Sequence, residues 1–217
     1  MKIGIVGGTG DIGEGMAMRL APLFDVIVGS RDEIKAQQSC ECNMSALKNR
    51  GVSYHPLTGA TNQDAVSCGD VIILAIPFKN VVGTLEGLHC FEDKIVISPV
   101  NPMEKRNFFE FVPPSEGSAA LLVQKLLPKS TRICSAFNTI AANKWKVLDE
   151  ELSYSVPVCG DDDEAKREVM AIVNKVSKLQ AFNAGPLAVS SMVEALTPLL
   201  LNIARYNKMR DVGIQFR

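Results

Sequence analysis

Residues Ile3-Gly4-Ile5-Val6-Gly7-Gly8-Thr9-Gly10-Asp11-Ile12-Gly13 run from an apolar strand pattern straight into a glycine-rich turn. Gly8, Gly10 and Gly13 fit G-x-G-x-x-G. Their missing Cβ atoms allow a tight turn, close approach of a pyrophosphate, and a helix packed hard on its strand. Backbone N–H groups and the positive end of the helix dipole then face the phosphates. A bare fingerprint of this kind is common, but here a helical pattern, Glu14 to Leu20, follows it and supplies the required context.

The next strand pattern, Asp25-Val26-Ile27-Val28-Gly29, leads into Ser30-Arg31-Asp32. An NAD site places its ribose-binding carboxylate about twenty residues into the motif. That offset, counted from Gly10, holds Ser30, with Arg31 next and Lys35 one helical turn on. A carboxylate would repel a 2′-phosphate, whereas a guanidinium holds one with two charge-assisted hydrogen bonds. Ser30, Arg31 and Lys35, with Thr9 nearby, therefore read as an NADP clamp. The competing reading makes Asp32 the ribose partner and Arg31 a solvated surface charge.

The substrate end of such a crevice falls at Phe137-Asn138-Thr139-Ile140-Ala141-Ala142, which offers an amide, a hydroxyl and small apolar groups. Reduction of a carbonyl needs a positioned proton donor. Lys144 is the one ionisable group nearby in sequence, either as that acid or as a solvated surface charge. Apolar and neutral polar walls suit a different reaction, hydride transfer between two stacked rings, which depends on proximity and orientation.

The elements that must position these groups alternate between short apolar runs and helical patterns. This predicts an α/β fold, a Rossmann-type doubly wound and mostly parallel sheet. Helix is expected over Asp32–Asn49, a third strand at Val52–Tyr54, and a capped helix over Thr61–Val66. Strands are expected at Val71–Ile76, stopped by Pro77, and at Lys94–Ser98, followed by a loop from Pro99 to Pro114. Helix over Ser118–Leu127 and a strand at Arg132–Phe137 complete the nucleotide part. Residues 1–150 are expected to form the NADP-binding domain and 151–217 a small C-terminal part.

In that C-terminal part, Val156–Gly160 is a strand pattern, and Asp161-Asp162-Asp163-Glu164 precedes a helix over Ala165–Leu179. The acidic quartet reads as a helix N-terminus, with Asp161 and Glu164 at capping-box spacing. A final helix, Leu187 to Asn207, is apolar on nearly every side, with Pro198 expected to kink it. Ser190, Ser191, Glu194, Thr197 and Asn202 argue against a simple membrane span and for burial, in its own subunit or across a dimer interface.

The 217 residues are 47% apolar, with a net charge of −1 and no basic stripe, which makes nucleic acid an unexpected partner. No uninterrupted apolar run reaches the roughly 20 residues of a membrane span, and glycines come too early for a signal-peptide core. The expected location is the cytoplasm. Six scattered cysteines read as reduced thiols, and Cys40 and Cys42 alone make poor zinc spacing.

Val158-Cys159-Gly160-Asp161-Asp162-Asp163-Glu164, Asn183-Ala184-Gly185-Pro186-Leu187 and Val193-Glu194-Ala195-Leu196-Thr197-Pro198-Leu199 closely resemble the archaeal NADP:coenzyme F420 oxidoreductases. The glycine turn, Gly29-Ser30-Arg31 and the ending Gly213-Ile214-Gln215-Phe216 extend the resemblance almost end to end. It implies reversible hydride exchange between NADP(H) and the 8-hydroxy-5-deazaflavin coenzyme F420, in a homodimer paired through the C-terminal helix. Carried over by position, NADP contacts fall on Thr9, Gly10, Asp11, Ile12, Ser30, Arg31 and Lys35, continuing through Ile76, Pro77 and Phe78. The deazaflavin pocket falls on Asn101, Pro102, Asn138, Ile140, Ala142, Thr197 and Val212, with Asn138 and Thr197 as orienting groups and no acid–base residue. Asn138 stands where one member of that family carries a His, and Asn138-Thr139-Ile140 also resembles the NADPH-flavin domain of membrane metalloreductases. An NADPH-dependent flavin (FMN) or ferric reductase, a carbonyl reductase using Lys144, and a non-catalytic NADPH sensor therefore stand beside the deazaflavin reading.

Overall fold

A computed structural model describes all residues, Met1 to Arg217. Ten strands and eight α-helices follow one another in the chain. The strands are β1 (Lys2–Val6), β2 (Asp25–Ser30), β3 (Leu57–Thr61), β4 (Val71–Leu74), β5 (Ile95–Ser98), β6 (Met103–Lys105), β7 (Phe109–Phe111), β8 (Arg132–Ser135), β9 (Ser155–Gly160) and β10 (Gln180–Gly185). The helices are α1 (Asp11–Leu20), α2 (Glu33–Asn49), α3 (Asn62–Cys68), α4 (Val81–Leu85), α5 (Ala119–Leu126), α6 (Ala142–Lys146), α7 (Asp163–Lys175) and α8 (Ser190–Tyr206).

Eight strands form one sheet in the order β3-β2-β1-β4-β5-β8-β9-β10. From β3 to β8 neighbours run parallel; β9 is antiparallel to β8, and β10 is parallel to β9. The sheet therefore continues through strands beyond residue 150. Strand order reverses between β1 and β4, which makes the crevice outside their C-terminal ends the binding position of a doubly wound sheet.

Helices cover both faces, so the parallel strands are apolar on both sides rather than alternating. Ile3, Ile5, Ile73 and Ile97 join α1, α2 and α7 in a cluster of 30 buried residues. Val6, Ile72, Leu74 and Val96 face α3, α4 and α5 in a second cluster of 15. Each such side chain contributes about 1.5–3 kcal/mol on burial, so the site rests on a rigid base.

Several expectations are corrected. The third strand is Leu57–Thr61, not Val52–Tyr54, because pairing with Val26–Ser30 selects the register despite a glycine in mid-strand. The Pro99–Pro114 stretch contains the β6–β7 hairpin, which forms a separate two-stranded sheet. At the acidic quartet, Asp162 caps α7, its carboxylate accepting from Ala165 N at 2.7 Å. Asp161 instead accepts from Leu187 N and Gln124 Nε2, tying α7's approach to the turn before α8.

Helix α8 runs unbroken through Pro198 and is less enclosed than its composition suggests. Val193, Glu194, Pro198 and Leu200 are buried, while Met192, Leu199 and Tyr206 are 70%, 52% and 68% exposed. With mean hydropathy 1.6 over 20 residues, the segment Leu187–Tyr206 is long and apolar enough to cross a membrane by composition. In the fold its polar groups are bonded inward. Glu194 accepts from Ala119 N and Ala120 N, and Asn202 exchanges two hydrogen bonds with the Phe109 backbone, clamping the hairpin. Cys40, Cys134 and Cys159 are buried, and desolvation raises their thiols to about 12, 12 and 11, so they pack as inert apolar groups.

Candidate coenzyme site

The turn after β1 is made by Gly7 at φ +74, a left-handed conformation suited to glycine, and a Cβ there would lie 2.6 Å from Ile76 Cγ2. Gly13 allows α1 to sit on the turn, since its Cβ would meet Gly8 Cα at 2.6 Å. Gly10 is the N-cap of α1 and supplies no side-chain bond, which leaves the first N–H groups of that helix open to an anion.

Beside this turn lies a cavity of about 870 Å³. Thr9, Gly10, Ser30, Arg31, Asp32 and Lys35 line one side, and Ile76, Pro77 and Lys79 the other. Ser30 Oγ is 3.5 Å from Thr9 Oγ1 and accepts from Asp32 N at 3.2 Å. Asp32 Oδ1 accepts from Lys35 N and so caps α2. This use of the carboxylate favours the clamp over a ribose role for Asp32. Arg31 and Lys35 make no ion pair and sit at the cavity wall, free for a phosphate.

Not every fingerprint residue lines the cavity. Gly8, Asp11, Ile12 and Gly13 lie outside its wall: Asp11 pairs with Lys146 at 2.8 Å, and Ile12 packs on the larger core. Phe78 turns into the smaller core instead. Sequence reasoning missed Gly7, Thr61, Asn62, Lys79 and Thr84, which do line it. Asn62 accepts from Gly7 N at 3.0 Å and braces the turn from α3. Only the doubled glycine hinted at Gly7, and nothing local marked Asn62.

Farther along the same sheet edge, a second cavity of about 240 Å³ opens between the β8–α6 connection and α8. Asn138, Ile140, Ala142, Thr197 and Val212 come together in its wall with Thr139, Leu200, Leu201, Ala204 and Asp211. Asn101 and Pro102 do not line it; Asn101 braces it from behind, while Pro102 O accepts from Val112 N beside the hairpin. Asn101 Nδ2 donates to Asn138 O at 3.1 Å.

The Asn138 side chain is consumed by the protein itself. Its amide donates to Ser98 O at 3.4 Å, Val100 O at 3.2 Å and Asn101 Oδ1 at 3.3 Å, and accepts from Ser135 Oγ at 3.1 Å. Thr197 Oγ1 donates to Asn138 O at 2.8 Å rather than back to its own helix. One residue thus ties the ends of β5 and β8 to α8. The preceding Phe137 sits at φ +67, uncommon for a bulky residue, and its ring meets Trp145 edge-on at 5.4 Å.

Lys144 lies outside both cavity walls. Its ammonium pairs with Glu150 and lies 4.0 Å from Asp211 Oδ2, and the Glu150 hydrogen bond holds its pKa above the usual lysine value. A tightly held ammonium is a poor proton donor at neutral pH. Asp211 is the one ionisable side chain of the second cavity, so its walls are otherwise apolar and neutral polar.

A family model described as "NADP oxidoreductase coenzyme F420-dependent" matches residues 2–102. The chain is similar to the F420-dependent NADP reductase of Methanocaldococcus jannaschii, 36% identical across 99% of this chain and 97% of that one. The protein of the same name from Methanothermobacter thermautotrophicus is 32% identical, over 99% and 94% respectively. A solved structure from Arthrobacter sp. FB24 superposes on 100% of this chain and 99% of its own with a TM-score of 0.82 at 20% identity, which shows the same fold.

Proposed function

Since the chain belongs to the F420-dependent NADP oxidoreductases and acts as an NADP-dependent oxidoreductase on coenzyme F420, we propose how two of its cavities, both on the edge of the sheet that carries the glycine turn, divide that work. The larger holds NADP(H): Ser30, Arg31 and Lys35 take the 2′-phosphate, the open end of α1 takes the pyrophosphate, and Ile76-Pro77 lead toward the nicotinamide. The smaller holds the deazaflavin ring against Ile140, Ala142, Thr197 and Val212. Its 240 Å³ is below the roughly 300–1,000 Å³ of a pocket enclosing a whole ligand. It suits a flat ring system with its tail outside.

A hydride then passes directly from one ring carbon to the other, and reduction of the deazaflavin also takes up one proton. The protein's part is positioning. Asn138, through its bonds to β5, β8 and α8, fixes the wall against which the second ring lies. The observation that carries this reading is the pairing of a cavity bearing free Arg31 and Lys35 with a second, nearly uncharged one on the same sheet edge. We also propose a cytoplasmic homodimer in which Met192, Leu199, Ile203 and Tyr206, one exposed stripe of α8, pair with their copies.

The test mixes the protein with NADPH and oxidised deazaflavin under exclusion of air. Bleaching of the deazaflavin's visible band is the expected result, with deuterium from nicotinamide carbon 4 retained in the product. Loss of that label to solvent would refute direct transfer. Reduction of FMN alone would replace the deazaflavin with a flavin, and binding of NADPH without turnover of either would mark a sensor.

A further inference from the structure

We infer that Lys79 is a third cation of the NADP clamp, closing the cavity from the wall opposite Arg31 and meeting the 2′-phosphate. The inference rests on the NADP reading of the larger cavity. Pro77 ends the β4 segment, and the single 3-10 turn Phe78–Asn80 carries Lys79, exposed, onto the cavity wall just before α4. Its ammonium makes no ion pair and no hydrogen bond within the fold.

That placement adds a positive charge to a wall that already carries two. The entry to a helix favours acids over bases, and Arg31 and Lys35 already present two unpaired positive charges to the same cavity. Asp32, the single acid on the lining, is spent capping α2. Three cations and one acid leave this wall with a surplus of positive charge that an anion balances. The pyrophosphate has the uncapped α1 terminus for a partner. A phosphate monoester carries about −1.5 to −2 charge at neutral pH, more than one guanidinium neutralises. The ends of β2 and β4, which bear Arg31 and Lys79, flank β1 and its glycine turn in the sheet, so the two cations approach from opposite sides.

Equilibrium binding of NADPH and NADH to the full chain tests this, in wild type, Lys79→Gln, Lys79→Arg and Arg31→Ala. Lys79→Gln should weaken NADPH about fivefold, the size of one solvent-exposed charge pair, and leave NADH within twofold. The loss should shrink at high salt, and Lys79→Arg should retain tight binding. An equal loss for both nucleotides would move Lys79 to a phosphate they share, and no loss would return it to solvent; either overturns the inference. Arg31→Ala separates the two levels. If it leaves the NADPH-to-NADH ratio unchanged, the NADP reading itself fails. If it abolishes the ratio while Lys79→Gln does nothing, only the role of Lys79 fails.

Discussion

Glu194 offers a stability prediction that can be worked through. Its carboxyl is fully buried on α8 and accepts from Ala119 N at 2.8 Å and Ala120 N at 3.0 Å at the start of α5. Ser190 Oγ, one turn earlier, bonds Ser118 Oγ at 2.8 Å, so the two helices are joined twice. Desolvation pushes the Glu194 pKa up to about 7 against the two backbone donors, which pull it down. Buried Cys159 feels the Glu194 charge, and its raised thiol stays neutral through this range.

The folded state therefore binds a proton more tightly than the unfolded chain, whose glutamate titrates near 4.5. Stability from this site is fully present below pH 4.5 and is lost as pH rises through about 7. A shift of that size corresponds to roughly 3 kcal/mol at most, or a fall in Tm of about 6–12 °C for a domain of this length. Scanning calorimetry from acid to mildly alkaline pH, on wild type and Glu194→Gln, isolates the site because other groups titrate in both proteins. The gap in Tm between wild type and variant should shift against wild type between pH 4.5 and 7 and be flat above. A gap independent of pH would mean that α5 holds the carboxylate without penalty.

Three further outcomes follow from the site. Asn138→Asp turns a carboxylate on the carbonyls of Ser98 and Val100; about 2–3 kcal/mol of stability should go. The KM for deazaflavin should rise while the NADPH Kd stays within twofold, and equal damage to both would deny the selective role. Gly13→Ala forces a Cβ to 2.6 Å from Gly8 Cα, so thermal unfolding should fall by about 1–3 kcal/mol and NADPH binding should weaken; an unaffected variant would refute the close helix–turn packing. Leu199→Asp, on the exposed stripe of α8, should give a monomer in size-exclusion chromatography; a wild type that is already monomeric at every dilution would remove the dimer.

What the sequence determined by itself is local. The glycine turn, the grouping of Ser30, Arg31 and Lys35 on one cavity wall, and most of the strand expected at Val71–Ile76, which ends at Leu74, were legible because backbone freedom, charge and β-branched runs act over a few residues. Most helix bounds were legible for the same reason: caps such as Thr61 and Ser118 bond within one turn. The third strand was not, since Leu57–Thr61 is weak alone and is strand because Val26–Ser30 pairs with it. Asp162 displaced Asp161 as the cap of α7 because Asp161 was drawn to Leu187 and Gln124, partners 26 and 37 residues away. Asn138 shows the difference most sharply. As a residue type it could have faced a ring, and only the convergence of β5, β8 and α8 turned its amide inward, because a buried amide must find its hydrogen bonds wherever the fold brings them.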